Sequence, residues 1–447
     1  MISSRSRVLA LLAAASAASL LAACGGGSSG SSDQSPKTFG VNATGTVHFW
    51  ARQATDGPAK YLVKEFNATH KNLKVVLHLT PPNDDTSQLA TAIRAGSVPD
   101  VVGLNDIDVP QFAHQNALMD ITKYVNALPY KSALSPGHLK LATVGSTYYG
   151  VPYLADLSVL WYNKALFKKA GIAGPPKTIA ELTADAKKLT IRNPDGSLKQ
   201  VGLDPFIGFY ENVPERWILP WGGTYTDSKN HAHLATDSAW SKWLTWQKQM
   251  IDWYGYKNLV KFQAGLGDEF SASNAFEVGK VAMNLDGEWR VAFIKAEHPT
   301  LDYGTAPMPA ADPSLYGSGY INGTIIGIPK NGKHTQQAWD FVKWVATNTH
   351  ALAEFSNAIK NVPSTVASTH SKELVPDAHF ATFLKIFANP KSGTSPIEAS
   401  GVSYTNAVQN FATKWQAGSI KNLASGLSSL DKQLDAQVKQ AKGGGVP

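Results

Sequence analysis

TVHFWARQATDGPAKYLVKEFNATHKNLKVVLHLTPPNDDTSQLATAIRAGSVPDVVGL, residues 46–104, decides the reading of the fold. Thr46 to Trp50 reads as a short strand, followed by a loop from Ala51 to Gly57. Pro58 can open a helix, because its missing N–H costs nothing in a first turn. Ala59, Leu62, Val63 and Phe66 then share one helical face. Leu73 to Leu79 reads as a second strand, closed by Pro81-Pro82. Ser87 to Ala95 reads as a short helix, with Gly96 in the left-handed position that ends it. Asp100 to Leu104 is a third strand. The order β-α-β-α-β is the signature of a largely parallel sheet covered by helices.

The pattern recurs along the chain. Tyr148 to Tyr153 and Ser158 to Tyr162 are strand-like, and Lys164 to Ala170 is helical up to Gly171. Thr178-Ile179-Ala180-Glu181 is a capping box, in which side chain and backbone satisfy each other's end groups. Trp240 to Tyr254 is a long tryptophan-rich helix, and Gly279 is placed to end a helix begun near Ser273. Val281 to Leu285 and Ile325 to Ile328 read as strands; Trp289 to Ala296 and Gln336 to Ala346 read as helices. From Tyr404 onward the pattern is mostly helical.

The first residues read as an address. Arg5 and Arg7 precede an apolar stretch, Val8 to Leu21, too short to span a bilayer, which needs roughly 20 apolar residues. Leu21-Ala22-Ala23-Cys24 has the form of a lipobox, whose cysteine thiol receives a diacylglyceryl group after cleavage. Cys24 is the only cysteine, so no intramolecular disulfide forms and stability rests on burial. The Gly/Ser-rich run that follows behaves as a flexible tether. The formal charge is +7. The basic residues are dispersed and form no stripe of the kind that follows a nucleic-acid backbone, so no nucleic-acid partner is expected.

Catalytic signatures are missing. Outside the Gly/Ser-rich run the chain has no G-x-S-x-G elbow, and it has no H-E-x-x-H and no phosphate-binding loop. His231 and His233 would share one face of a strand, but no neighbouring Asp, Glu or Cys completes a metal site, and an exposed hairpin edge is expected. The informative feature is aromatic, with 12 tryptophans. Trp50 ends the first strand, Trp217 and Trp221 flank a bend at Pro220-Trp221-Gly222-Gly223, and Trp289 follows Asp286-Gly287-Glu288, where a strand becomes a helix. Ligands of open α/β sheets bind at the carboxyl ends of strands, and aromatic faces stack on the C–H faces of sugar rings. Trp240, Trp243 and Trp246 recur at spacing three on one helix and read as core, as do Trp253, Trp339, Trp344 and Trp415.

Five stretches carry a resemblance: QLATAIRAGSVPDVV at 88–102, YGVPY at 149–153, WYNKALFKKAG at 161–171, FEVGKVAM at 276–283 with Gly287 and Trp289, and AWDFVKW at 338–344. In order from about residue 46 to 365, they resemble the extracellular solute-binding proteins of ATP-driven sugar importers, the maltose-binding-like family. The resemblance implies an α/β, two-lobe periplasmic-binding-protein-like fold of type II, each lobe a mostly parallel sheet flanked by helices, joined by hinge strands. It implies a signal peptide at 1–23 and a tether at 24–44. The N-terminal lobe would be 45–153 plus 308–363, and the C-terminal lobe 154–307 plus 364–440. Hinge crossings would fall near Tyr153 to Asp156, Pro307 to Pro309 and Val362 to Ser364.

Carried over position by position, the cleft takes Trp50, Arg52, Asp85, Asn105 and Asp106 from the first lobe and Asp156 at the hinge. Trp217, Trp221 and Trp289 come from the second lobe, with Tyr320 and Asn322 before the returning strand. The sequence departs from the family there: a customary Gly-Gly reads Gly319-Tyr320-Ile321-Asn322-Gly323. The expectation is a monomeric, exported protein. Lipid on Cys24 would anchor it to the outer face of the bacterial cytoplasmic membrane. It would capture a mono- or oligosaccharide and deliver it to the membrane permease subunits of an importer, with no cofactor and no catalysis. Two alternatives use the same residues. One is a polyol phosphate or other polar solute, for which Arg52 is the evident cation. The other is an exported glycosidase using Asp85 and Asp106.

Overall fold

Strand β1 (Gly45–Arg52) buries Val47, Phe49 and Ala51 on one face, the period-2 alternation of a strand with one face in a core. It pairs in parallel with β2 (Leu73–Thr80) and with β3 (Val101–Asn105). The computed structural model of the protein describes residues 39–52, 56–80, 85–128, 136–394 and 398–443. The expected signal peptide, Cys24, most of the 24–44 tether and Pro81-Pro82 lie outside the described residues. No helix among the described residues is long and apolar enough to cross a membrane.

The remaining strands are β4 (Thr143–Val144), β5 (Thr147–Tyr148), β6 (Gly150–Asn163), β7 (Ile191–Arg192), β8 (Leu198–Leu203), β9 (Val281–Gly287), β10 (Tyr303–Ala306), β11 (Ile321–Gly327) and β12 (Val362–Pro363). The main path runs β2-β1-β3-β11-β6-β9-β8-β7, with β10 and β12 also on β6. The fold is the expected two-lobe α/β type, and β6 is its spine. Gly150 to Leu157 pair with β11, and Ser158 to Tyr162 pair with β9. The sequence suggested two separate strands here. The 14-residue β6 stays extended through the gap because β11 and β12 supply partners for Leu154 to Leu157.

Strand direction differs from the mostly parallel sheets expected. Among the described strands only the pairs β1–β2, β1–β3 and β8–β9 are parallel; β11 lies antiparallel to both β3 and β6, and β9, β10 and β12 lie antiparallel to β6. The reason is connectivity. Segments that cross between lobes more than once must run back along one another, so the middle of the molecule is antiparallel while each lobe's outer part keeps its β-α-β order. A second difference lies at Ser273 to Gly279, expected as a helix end. These residues form turns, with Gly279 at φ +73°.

Each lobe has its own core. In the first, Phe49, Leu62, Phe66 and Val101 pack against Trp339, Phe341 and Val342 of the returning helix Thr335–Thr347. In the second, Trp240 and Trp243 of helix Ser238–Tyr254 pack with Leu182, Val201, Met283 and Val408. A third cluster straddles the crossing strands, with Ala155, Leu157, Trp161, Ile321, Val362 and Phe383. Full burial of each such side chain contributes about 1.5–3 kcal/mol.

Candidate functional site

Arg52 is the last residue of β1 and Asn105 the last of β3; the guanidinium donates to the Asn105 side-chain oxygen. Asn105 in turn lies 3.5 Å from an Asp108 oxygen. Trp50 stands on the same face of β1 as Arg52, half-buried, against the His78 ring at 5.1 Å and the cluster around Leu89 and Val102. The side chain of Asp85, first residue of helix Asp85–Arg94, lies outside the described residues.

Asp106 follows β3 and is buried, with carboxyl Oδ2 lacking a hydrogen-bond partner among the described residues. Burial pushes its pKa up to about 7, and Asp156 and Asp108 add to the rise while a hydrogen bond from the Ile107 backbone and the Arg216 charge oppose it. Asp156, on β6, accepts from the Asn361 amide, which also donates to Glu288 Oε1 at 2.7 Å. Glu288 Oε2 accepts from the Leu157 backbone N–H at 2.9 Å. Burial holds both the Asp156 and the Glu288 carboxyls above the usual range. Three chain segments, β6, the residue after β9 and the stretch before β12, are thereby tied by one amide and two carboxyls.

Arg216 completes the group and was not singled out from the sequence. Its guanidinium donates to Glu211 at 2.6 Å and to Asn322 at 2.8 Å, and lies 4.8 Å over the Tyr320 ring. Asn322 on β11 is in register with Asp156. The structure therefore brings Arg52, Asn105, Asp106, Asp156, Tyr320 and Asn322 into one neighbourhood with Arg216. The signal in the sequence was the charged pair Glu215-Arg216 inside an otherwise apolar, tryptophan-bearing turn. Neighbouring helical residues point about 100° apart, so choosing Trp217 meant choosing the wrong side of helix Pro214–Ile218. Trp217 is 1% exposed. It donates to Asn212 and packs against Trp246 at 5.1 Å, so its ring belongs to the second lobe's core and not to a ligand surface.

Trp221 is half-buried at the edge of that core, 5.9 Å from Trp246. Trp289 caps helix Arg290–Glu297, half-buried, with no partner for its indole N–H among the described residues. Its ring lies on the Gly287 backbone: a Cβ there would stand 2.2 Å from a ring carbon. Gly287 thus holds the only residue type that lets the ring lie flat at the end of β9.

His231 and His233 take different partners, Asp227 at 3.9 Å and Thr224 at 2.7 Å respectively. Among the described residues the grouping with metal-ligand character is Glu277, Glu297 and His298. There Glu277 is already engaged by Arg290, and the His298 ring by the Ala272 carbonyl.

The raised carboxyls fix a pH dependence. Burial puts Asp106 and Asp204 each near 7, against about 3.9 in an unfolded chain. Between these values the folded chain holds more protons than the unfolded one. The stability these groups contribute is fully present below about pH 4 and is lost as pH rises through about 7. The melting temperature of the unliganded protein should therefore rise as pH falls from about 8 to about 5. Asp106→Asn should flatten part of that slope. A melting temperature that falls steadily over this range would contradict the assignment.

A family model described as bacterial extracellular solute-binding protein matches residues 52–351. A putative binding protein of Brucella abortus is 24% identical over 279 residues, covering 62% of this chain and 65% of its own length. A maltotriose-binding protein of Pyrococcus abyssi is 23% identical over 308 residues, covering 68% of this chain and 62% of its own. Among solved structures, the mannotriose-bound protein CpMnBP1 superposes with a TM-score of 0.76 at 27% identity, over 88% of this chain and 99% of that one.

Proposed function

Because this chain belongs to the bacterial extracellular solute-binding protein family, we propose that it captures an oligosaccharide between its lobes and hands it to the membrane subunits of an ABC-type importer. The observation that carries the reading is the convergence of Asp106, Asp156 and Arg216 beside Tyr320 and Asn322. Carboxyls and a guanidinium at one point suit the hydroxyls of a sugar, and the half-exposed Trp50 and Trp289 supply faces for its ring. The relatives bear on the same point: one solved neighbour holds mannotriose and one curated relative is a maltotriose-binding protein. A phosphate-bearing solute is disfavoured, because the cations of this neighbourhood are already engaged: Arg216 donates to Glu211 and Asn322, and Arg52 to Asn105. The carboxyls of Asp106, Asp156 and Glu288 serve as acceptors here, and no reaction is assigned to them.

We assign the N-terminal lobe to 45–153 plus 308–363 and the C-terminal lobe to 154–307 plus 364–440, with the ligand closing one onto the other. Ligand that contacts both lobes favours the closed form by its differential affinity. Calorimetric titration against mannose- and glucose-based saccharides, followed by solution scattering with a saturating one, tests this. Heat of binding and a smaller radius of gyration are expected, with the saccharide recovered unchanged. Release of new reducing ends would show a glycosidase instead.

The anchor is a separate expectation. The Leu21 to Cys24 motif supports a mature chain that begins at Cys24 and carries a diacylglyceryl thioether, monomeric on the outer face of the cytoplasmic membrane. Intact mass of membrane-associated protein should show the lipid; an unmodified Cys24 would overturn it.

A further inference from the structure

Glu277 and His298 meet at the end of helix Arg290–Glu297 that lies away from Trp289. His298 follows the helix, and Glu277 belongs to the turns at 271–279. The Glu277 side chain is 0% exposed, and its two oxygens are unlike. Oε1 accepts from Arg290 Nη1 at 3.0 Å, whereas Oε2 is buried and has no hydrogen-bond partner among the described residues. His298 Nε2 stands 3.7 Å from Oε2, beyond hydrogen-bond reach, and is held instead by the Ala272 carbonyl at 2.8 Å. A carboxylate oxygen sealed from water is costly unless a cation or a donor meets it. Protonating Oε2 does not help, because the new O–H would itself need an acceptor.

Glu297, the exposed last residue of the helix, brings a second carboxylate. One donor atom from each of Glu277, Glu297 and His298 lies within 4.8 Å of the others. Zinc takes imidazole nitrogen at about 2.0–2.1 Å and carboxylate oxygen at about 2.0–2.2 Å, which sets neighbouring donors of a tetrahedral site roughly 3.4 Å apart. The 3.7 Å between Nε2 and Oε2 is close to that spacing, and a rotamer change in the exposed Glu297 brings in the third donor. The Ala272 carbonyl, 2.8 Å from Nε2, is in reach as a fourth. The ring then carries its proton on Nδ1 and offers Nε2 to the ion. The Arg290 bond to Oε1 supports the arrangement, since ligating carboxylates are ordinarily hydrogen-bonded from behind. Arg290 also donates to Asp286 at 2.8 Å, so its charge is not spent on Glu277 alone. An imidazole among the donors favours zinc and similar ions over calcium and magnesium, which take shells of oxygen.

We propose that Glu277, Glu297 and His298 form a binding site for a divalent transition-metal ion such as zinc, which pins the turns at 271–279 to the end of helix Arg290–Glu297. Trp289 caps the other end of that helix, so the ion steadies the element that presents its ring. The inference does not depend on the carbohydrate reading.

The test is titration of the full chain, untagged and treated with chelator, with zinc by calorimetry and by thermal melting. One zinc should bind per chain, and saturating zinc should raise the melting temperature by a few degrees. Calcium and magnesium should do neither. His298→Ala and Glu297→Gln alter side chains outside the core, so both should fold, which melting without metal checks. His298→Ala should weaken zinc binding by about 100-fold or more, beyond the roughly 10–100-fold lost when a group that only supports a ligand is removed. Glu297→Gln should weaken it by about tenfold. The double variant His231→Ala, His233→Ala removes the other close histidine pair and should bind zinc as the wild type does. X-ray absorption of the zinc-loaded protein should show one imidazole among oxygen donors at about 2.0–2.1 Å. A wild type that binds no zinc, binding that survives His298→Ala, or binding lost in the His231, His233 variant overturns the site, and each outcome leaves saccharide capture untouched.

Discussion

Arg290→Met should lower the unfolding free energy by roughly 3–5 kcal/mol, the loss seen when one partner of a buried ion pair is removed. Arg290 is 1% exposed. Its Nε donates to Asp286 at 2.8 Å and Nη1 to Glu277 at 3.0 Å, while Nη2 lies 3.7 Å from Glu269. Methionine fills much of the same space, so the loss comes from the carboxyls left behind and not from a void. Asp286 is already raised to about 7 and Glu269 to about 8, with burial the main cause for each. Without the guanidinium, both are cheaper to keep protonated than ionised. The penalty should therefore be larger at pH 8 than at pH 5. The exposed Lys164–Asp302 pair, at 3.8 Å, is the contrast: Lys164→Ala should change stability by less than about 1 kcal/mol. Denaturant unfolding at both pH values measures each. A loss below about 1 kcal/mol for Arg290→Met would show that the network is solvated and carries little.

Trp289→Ala should separate binding from folding. The ring is half-buried, so the unliganded protein should lose much less than the roughly 3–5 kcal/mol expected for a core tryptophan. Affinity for the cognate saccharide should instead fall by roughly 1–3 kcal/mol, by analogy with aromatic stacking on bases, or about 5- to 150-fold. Gly287→Ala should weaken binding in the same direction, since its Cβ would stand 2.2 Å from the ring and displace it. Trp243→Ala is the opposite case. That side chain is fully buried in the second lobe's core, so stability should fall by the full core penalty. Calorimetric titration and thermal melting on the three variants distinguish the outcomes. Normal binding by folded Trp289→Ala would remove this ring from the site.

Several features of the site were legible because they follow from local rules. Trp50 was read at the carboxyl end of the first strand and lies there; Arg52, read into the loop after it, is instead the last residue of β1 and shares a face with Trp50 because side chains alternate along a strand. The Thr178 capping box forms as read, with the Glu181 backbone N–H donating to Thr178 Oγ1 at 3.2 Å. The tryptophans at spacing three on one helix, Trp240 and Trp243 among them, are core because that spacing keeps them on one face. Arg216 was missed because a five-residue helix is too short for periodicity to say which side is buried. Trp217, its neighbour, was assigned to the ligand on residue type alone. Asn361 gave no local signal; its role comes from lying between Asp156 and Glu288, residues 205 and 73 positions away.

The two lobes came from the family resemblance; the sequence by itself determined the alternation of strands and helices and the faces on which most tryptophans lie. These depend on side-chain period, caps and turn residues within a few positions of one another. Only the tertiary structure decided the continuous β6, the antiparallel middle of the sheet, the burial of Trp217 and the grouping of Arg216 with Asp156 and Asn322. Each of these depends on which distant segments supply backbone partners and counter-charges. A strand's direction in a sheet and a buried charge's partner are settled by contacts across the fold, and one stretch of chain carries no record of them.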